Sequence, residues 1–122
     1  MYNKRAIGIN GEKIASAYVK KMGLTILETN YRQKTGEIDI IAAKNNLIAF
    51  IEVKIRQTHQ YGHPEEAIDR KKKRRMIRTA KYYLVTHNLY DKQVVRFDVL
   101  AIQGKESSYD IEYFENAFRE ER

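Results

Sequence analysis

Four charged residues stand inside apolar runs where charge is out of place. In Gly36-Glu37-Ile38-Asp39-Ile40-Ile41-Ala42 two acids interrupt a row of isoleucines, and in Phe50-Ile51-Glu52-Val53-Lys54 an acid and a lysine interrupt a second row. Read as strands, whose side chains alternate, Glu37 and Asp39 share one face and Ile38 and Ile40 the other. Glu52 and Lys54 likewise share a face, opposite Ile51, Val53 and Ile55. Taking an isolated charge out of water is costly, so such residues either pair across the strands on a solvated face or gather around a bound cation. Two carboxylates on adjacent strands, completed by water and phosphate oxygens, suit Mg²⁺ or Mn²⁺. A lysine two residues from one ligand would stand beside that ion, orienting or helping to deprotonate water and stabilising charge on phosphoryl oxygens.

The rest of the chain has to position these groups. Ile7, Gly11, Ile14, Ala15, Tyr18 and Met22 recur at spacings of three and four, which predicts a helix over 5–22 with Gly23 as its stop. Strands are predicted at 24–30, 36–42 and 47–55, the last two joined by a turn at Asn45-Asn46. A polar loop follows over 56–63, and Pro64 suits the first turn of a helix, with Glu65 and Glu66 near its positive end. That helix should reach about His87, with Met76, Ile77, Ala80, Tyr83 and Leu84 facing the core. Residues 93–103 read as another strand and 109–114 as a short edge strand. The order of one helix, three strands, one helix and one or two strands implies an α/β fold, a mixed sheet covered by helices.

At 122 residues the chain fits one domain, and 43% hydrophobic content is ordinary for a globular protein. No cysteine is present, which excludes disulfides, thiolate metal sites and thiol nucleophiles. No signal-peptide pattern or membrane-length apolar run occurs, so a cytoplasmic protein with no membrane association is expected. The net charge is +7, unevenly spread: residues 106–122 form an acidic tail of six acids and two bases, leaving +11 on the first 105 residues. The densest run is Arg70-Lys71-Lys72-Lys73-Arg74-Arg75, followed by Arg78 and Lys81. Such runs are commonly solvated helix faces; on so basic a domain they also favour a polyanion, nucleic acid first. By its spacing from Ile77, Ala80 and Leu84, Lys73 should point inward and snorkel towards the charged edge of the sheet. Arg70, Lys71, Arg74, Arg75 and Arg78 should project outward, where they would meet phosphates. Arg56, on the Lys54 side of its strand, and Tyr61, in the polar loop, are further candidate nucleic-acid contacts. His59, His63 and His87 form no helical metal motif, although His59 and His63 lie in the same loop as Tyr61.

An Asp, twelve intervening residues and then Glu-x-Lys at the end of an apolar strand resembles the PD-(D/E)XK nuclease superfamily. Gly11-Glu12, Asn30-Tyr31-Arg32, Gly36-Glu37-Ile38-Asp39, Phe50-Ile51-Glu52-Val53-Lys54, Tyr61-Gly62-His63-Pro64 and Arg96-Phe97-Asp98-Val99, in that order, resemble the small bacterial YraN-like family, grouped near archaeal Holliday junction resolvases. The resemblance implies a restriction-endonuclease-like sheet flanked by helices and metal-dependent phosphodiester hydrolysis of nucleic acid, structure-selective and directed at DNA more than RNA. It implies Asp39 and Glu52 as ligands of Mg²⁺ or Mn²⁺, Lys54 as the catalytic lysine and Glu12 as the helix-borne acid completing the site. Glu12 borders the apolar stripe of its helix, which is compatible with that role; a solvated acid at a helix start is the alternative. Glu37 would be a supporting or substrate-contacting acid. Ile38 stands where the superfamily name has Pro, with the carboxylate still in place. A resolvase, cutting two symmetric strands, would require a homodimer. The alternative is a nucleic-acid-binding module that keeps the fold without the chemistry.

Overall fold

The computed structural model describes residues 11–56, 68–105 and 108–120. The first helix, α1, spans Gly11–Lys21 and stops as expected at Gly23, whose φ of +92° is one that glycine adopts without a Cβ penalty. Residues 5–10, expected in the same helix, lie outside the described residues. Three antiparallel strands follow: β1 at Thr25–Gln33, β2 at Gly36–Lys44 and β3 at Leu47–Arg56. The helix α2 spans Arg70–Thr86 and leads to β4 at Val94–Lys105 and β5 at Ser108–Phe118. The sheet order is β1-β2-β3-β4-β5, with β3 and β4 parallel and every other pair antiparallel. This is an α/β fold of the restriction-endonuclease-like kind.

The centre of the sheet is buried on both faces, which explains why β3 reads as a nearly continuous apolar run, while the edge strands β1 and β5 are largely exposed or half-buried. Ala15 and Val19 of α1 pack on Ile40, Ala42, Ala49, Ile51, Val53, Ile55, Leu100 and Ile102. Met76, Ala80, Tyr83 and Leu84 of α2 pack on the opposite face against Ile38, Ile41, Ile48, Phe50, Phe97 and Val99. Tyr83 meets Tyr31 edge-on at 5.2 Å and Phe50 at 6.1 Å, an arrangement favoured by the ring quadrupoles.

Three expectations are corrected. Asp69 is extended (φ −73°, ψ 166°) and caps α2, its Oδ1 accepting from the Lys72 N–H at 2.7 Å, so α2 starts at Arg70. Pro64, Glu65 and Glu66 lie outside the described residues. Secondly, the short edge strand expected at 109–114 is an eleven-residue strand, so most of the acid-rich C-terminal stretch is sheet. Its pairing with β4 supplies the hydrogen bonds that propensity alone did not promise. Thirdly, Ile38 packs on the α2 side and Ile40 on the α1 side, so the two do not share a face. The alternation breaks at Asp39. Between the pairs Thr29↔Ile40 and Tyr31↔Ile38, Asn30 has φ of +51°, a left-handed residue that Asn tolerates and that interrupts the pleat.

Two features set the middle of α2 against the β1–β2 turn. Thr35 Oγ1 and Thr79 Oγ1 share a 2.7 Å hydrogen bond, and Gly36, with φ of +152°, leaves little room for a side chain. A Cβ there would come within 3.2 Å of Thr79 Oγ1 and 3.3 Å of Arg75 Cβ. Asp69→Ala, which removes the cap at the start of the same helix, is expected to cost about 1 kcal/mol in urea denaturation. An unchanged midpoint would show that the cap does not hold this end of the helix.

Candidate active site

The β2–β3 ladder ends at Ile40↔Ile51, and the site lies just beyond it. There the Val53 N–H donates to Asp39 Oδ2 at 2.8 Å instead of to a strand carbonyl, which fixes the Asp39 carboxylate. Glu52 comes from the α2 face of β3, in the column that runs from Ile48 and Phe50 through Lys54 to Arg56. Asp39, Glu52, Lys54 and Arg56 are all buried, at 7%, 3%, 5% and 7% exposure. Glu52 and Lys54 do share a face, as alternation predicts.

Asp39 and Glu52 lie in one cleft of about 620 Å³, with Arg32, Glu37, Asp69, Lys71, Lys72 and Arg75 among its lining residues. Lys72 reaches in from α2 and donates from Nζ to Glu52 Oε2. Lys54 Nζ is 3.5 Å from the same oxygen. Two carboxylates are thus held with two ammonium groups on one of them, three of the four side chains buried and Lys72 open to solvent.

The electrostatics follow from this crowding. Burial, and then the like charge of Asp39, push Glu52 above the ordinary carboxylate range, although both lysines pull it back. Burial pushes Lys54 below the usual lysine value, and repulsion from Lys72 adds to this against the attraction of Glu52. Burial also works against the charge on Lys72, but Glu52, with Asp39 and Glu37 behind it, outweighs burial and raises its pKa. Lys72 is therefore the firmly charged partner of Glu52.

Other expected site residues fall around this centre. Glu37 is exposed on the rim and lies 3.5 Å from Arg32, its partner in the β1–β2 register. Glu12 is exposed and lines a smaller cavity of about 200 Å³ with Ser16, Asn30, Val53 and Asp39. Asp39, at the break in alternation, borders both cavities; Glu12 and Glu52 share none. Among the described residues, no three acids or histidines are grouped closely enough to hold a metal by themselves. His59, His63 and Tyr61 lie outside the described residues. His87 closes α2, stacking on Tyr83 at 4.0 Å.

The inward lysine is Lys72, not Lys73. Lys72 precedes the buried Met76 by four residues, whereas Lys73 precedes the half-buried Ile77 and lies 5.8 Å from the Phe118 ring centroid. The basic helix thereby divides its charges. Lys71, Lys72 and Arg75 face the carboxylate cleft, while Arg70, Lys73, Arg74, Arg78 and Lys81 line a second groove of about 550 Å³ with Arg119 and Glu120.

A family model described as "Uncharacterised protein family UPF0102" matches residues 11–102, from α1 to within β4. The chain is 43% identical to a UPF0102 protein of Clostridium perfringens over 120 residues, 97% of either chain. It is 45% identical to a UPF0102 protein of Clostridium acetobutylicum over 119 residues, 96% of either chain. The chain belongs to the UPF0102 family. The UPF0102 match contains Glu12, Asp39, Glu52, Lys54 and Lys72; β5, with the buried partners it supplies to β4, lies beyond it.

The donors present fit a hard divalent cation. Asp39 and Glu52 offer oxygen only, from two fixed neighbouring carboxylates whose mutual repulsion calls for positive charge. Mg²⁺ is commonly held by one or two carboxylates together with waters and substrate phosphate, so a third protein ligand is not required. Among the described residues of this UPF0102 chain, no helix is long and apolar enough to cross a membrane.

Proposed function

We propose that this protein is a metal-dependent phosphodiesterase of nuclease type, acting on nucleic acid by structure rather than sequence. The observation that carries the reading is one cleft holding two neighbouring buried carboxylates, two lysines on one of them, and a rim of Arg32, Lys71 and Arg75. Asp39 and Glu52 would hold Mg²⁺ or Mn²⁺, with Glu12 reaching Asp39 through water from its own small cavity. When bound, the ion supplies a Lewis acid for the scissile phosphate and makes water a better nucleophile. Lys54, in contact with Glu52, orients that water and balances charge on the phosphoryl oxygens. Hydrolysis adds water across one P–O bond, leaving a phosphate monoester and a hydroxyl end, with no covalent enzyme intermediate.

The basic helix supplies affinity without base readout, because phosphate contacts fix position and carry no sequence information. DNA is the favoured substrate class over RNA, and a cytoplasmic setting suits either. Symmetric cuts in a branched molecule need two such sites, hence a homodimer. In Arg70→Ala/Arg74→Ala/Arg78→Ala, binding should weaken across all sequences, and the slope of log K against log salt should become shallower by roughly 2–3. A slope equal to wild type would remove the second groove from the interface.

The direct test is cleavage of labelled single-stranded, duplex, flapped and four-way-junction DNA and of structured RNA, with Mg²⁺ or Mn²⁺. Glu52→Gln and Lys54→Ala are run beside wild type, after circular dichroism shows that they fold. Products from wild type alone support the enzyme; equal cleavage by all three proteins rejects the site. A second reading, a binding module without chemistry, is favoured by one observation: Glu52 is already neutralised by two lysines. Binding with no metal-dependent cleavage of any substrate would select it.

A further inference from the structure

Lys72 stands where a cation would be needed. Its ammonium is bonded to Glu52 Oε2, the carboxylate that faces Asp39 across the cleft. The two lysines on Glu52 differ in one respect: the Lys54 side chain is 6% exposed and enclosed, whereas that of Lys72 is 44% exposed and has solvent to move into. It also rises from the first turns of α2, beside Lys71 and Arg75, on the wall a phosphate would approach.

Two neighbouring buried carboxylates repel each other and are stabilised only with positive charge close by. In this structure Lys72 meets that need. An ammonium on Oε2 and a divalent ion on the same carboxylate repel, so both cannot hold their best positions together. We infer that Lys72 is a displaceable counter-ion, holding the place of the divalent cation on Glu52 and leaving it for a substrate phosphate when the cation enters. The inference rests on the proposed metal site. It gives Lys72 a role distinct from that of Lys54: it suppresses metal binding by the free protein and ties metal entry to the arrival of the polyanion. By linkage, phosphate that draws Lys72 away strengthens the metal, and the metal strengthens phosphate binding by the same factor.

The test is Mn²⁺ binding by the whole protein without nucleic acid, followed by electron paramagnetic resonance. Lys72→Met should bind Mn²⁺ roughly 10-fold or more tightly than wild type, the scale expected for one partly buried ion pair. Lys72→Gln, which keeps a donor for Glu52 but no charge, should shift in the same direction and serves if Lys72→Met folds poorly. Lys92→Met, which removes an equal charge at an exposed site outside the cleft, should stay within about 2-fold of wild type, as distant exposed charges are screened. Adding Glu52→Gln to Lys72→Met should abolish the gain. In the unaltered protein the same displacement is read by lysine acetylation and peptide mass analysis, with Lys72 labelling rising several-fold on addition of Mn²⁺. Equal Mn²⁺ affinity in wild type and Lys72→Met, abolished by Glu52→Gln in both, overturns the counter-ion and leaves the metal site standing. No Mn²⁺ binding by any of the proteins overturns both.

Discussion

On the nuclease reading proposed above, Lys54→Ala should lower the metal-dependent cleavage rate by about 10³-fold or more, with nucleic-acid affinity changed only a few-fold. The separation of the two effects comes from where the side chain lies. Lys54 is enclosed against Glu52, whereas the groups that would carry affinity, Lys71, Arg75 and the second groove, are exposed on α2. Glu52 keeps Lys72 as a partner in the variant, so the carboxylate is not left as an isolated buried charge. The fold should therefore survive, and the loss should appear in the turnover rate rather than in KM. A rate within 10-fold of wild type would remove Lys54 from the chemistry. An equal loss of rate and thermal stability would show a lysine that merely supports the sheet.

The second large effect concerns stability, at a place with no expected part in the chemistry. Asp98→Ala should cost about 3–5 kcal/mol, the range for breaking a buried ion pair, and lower Tm by roughly 10–20 °C. Asp98 is fully buried on β4 and is surrounded by donors. Arg96 donates through Nε at 2.9 Å and Nη2 at 2.9 Å, Tyr113 through its hydroxyl at 2.5 Å, and the Asn116 N–H at 2.9 Å. Its carboxylate fills the irregular step where the β4–β5 register shifts between Phe97 and Val99, near the left-handed Asn116. Removing it leaves the guanidinium with Glu115 alone, at 3.5 Å, and takes the carboxylate from a phenol and a backbone N–H at once, each lost partner carrying its own desolvation cost. A loss below about 1 kcal/mol would show that water replaces the carboxylate.

The same cage has a sign on the alkaline side. Burial, and then the bond to Asp98, push the Tyr113 phenol well above its ordinary value. The folded state thus keeps a proton that the unfolded chain releases near pH 10, so this part of the stability is present below that pH and drains away above it. Tyr113→Phe should be less stable at neutral pH and lose stability less steeply above pH 10.

The sequence made the carboxylate pair legible because charges inside apolar strands have few inexpensive explanations. Glu52 and Lys54 could be placed on one face since β3 alternates without interruption. Asp39 could not be placed so simply. The break there depends on Asn30, nine residues earlier, taking a left-handed conformation on the partner strand. Lys72 was missed for a different reason. Both Lys72 and Lys73 have an apolar residue four positions later, and only the helix's rotation on the sheet makes Met76 deeper than Ile77. The pull of Glu52 on Lys72 is a tertiary fact; the sole local hint was Asp69, whose cap sets where the helix begins. The Asp98 cage was half hidden: Arg96 stands two residues away, but the other donors come from residues 15 and 18 positions away.

The single parallel pairing in the sheet has a kinetic consequence. β1, β2 and β3 are joined by short turns and form a local antiparallel meander, and β4 with β5 forms another local pair. The two blocks are joined by the β3–β4 ladder that runs from Leu47↔Val94 to Arg56↔Gln103, so closing that seam requires the long α2 crossover to be drawn in. Closing a long loop before its contacts repay the entropy is slow, which makes the β3–β4 seam the natural late step of folding. Asp39 and Glu52 are then brought side by side in the first block, while Lys72 arrives only with the crossover. On that order of folding, the acid pair forms before its lysine partner from α2 arrives. A nascent domain at that stage is one that cations in the surrounding solution can help to complete.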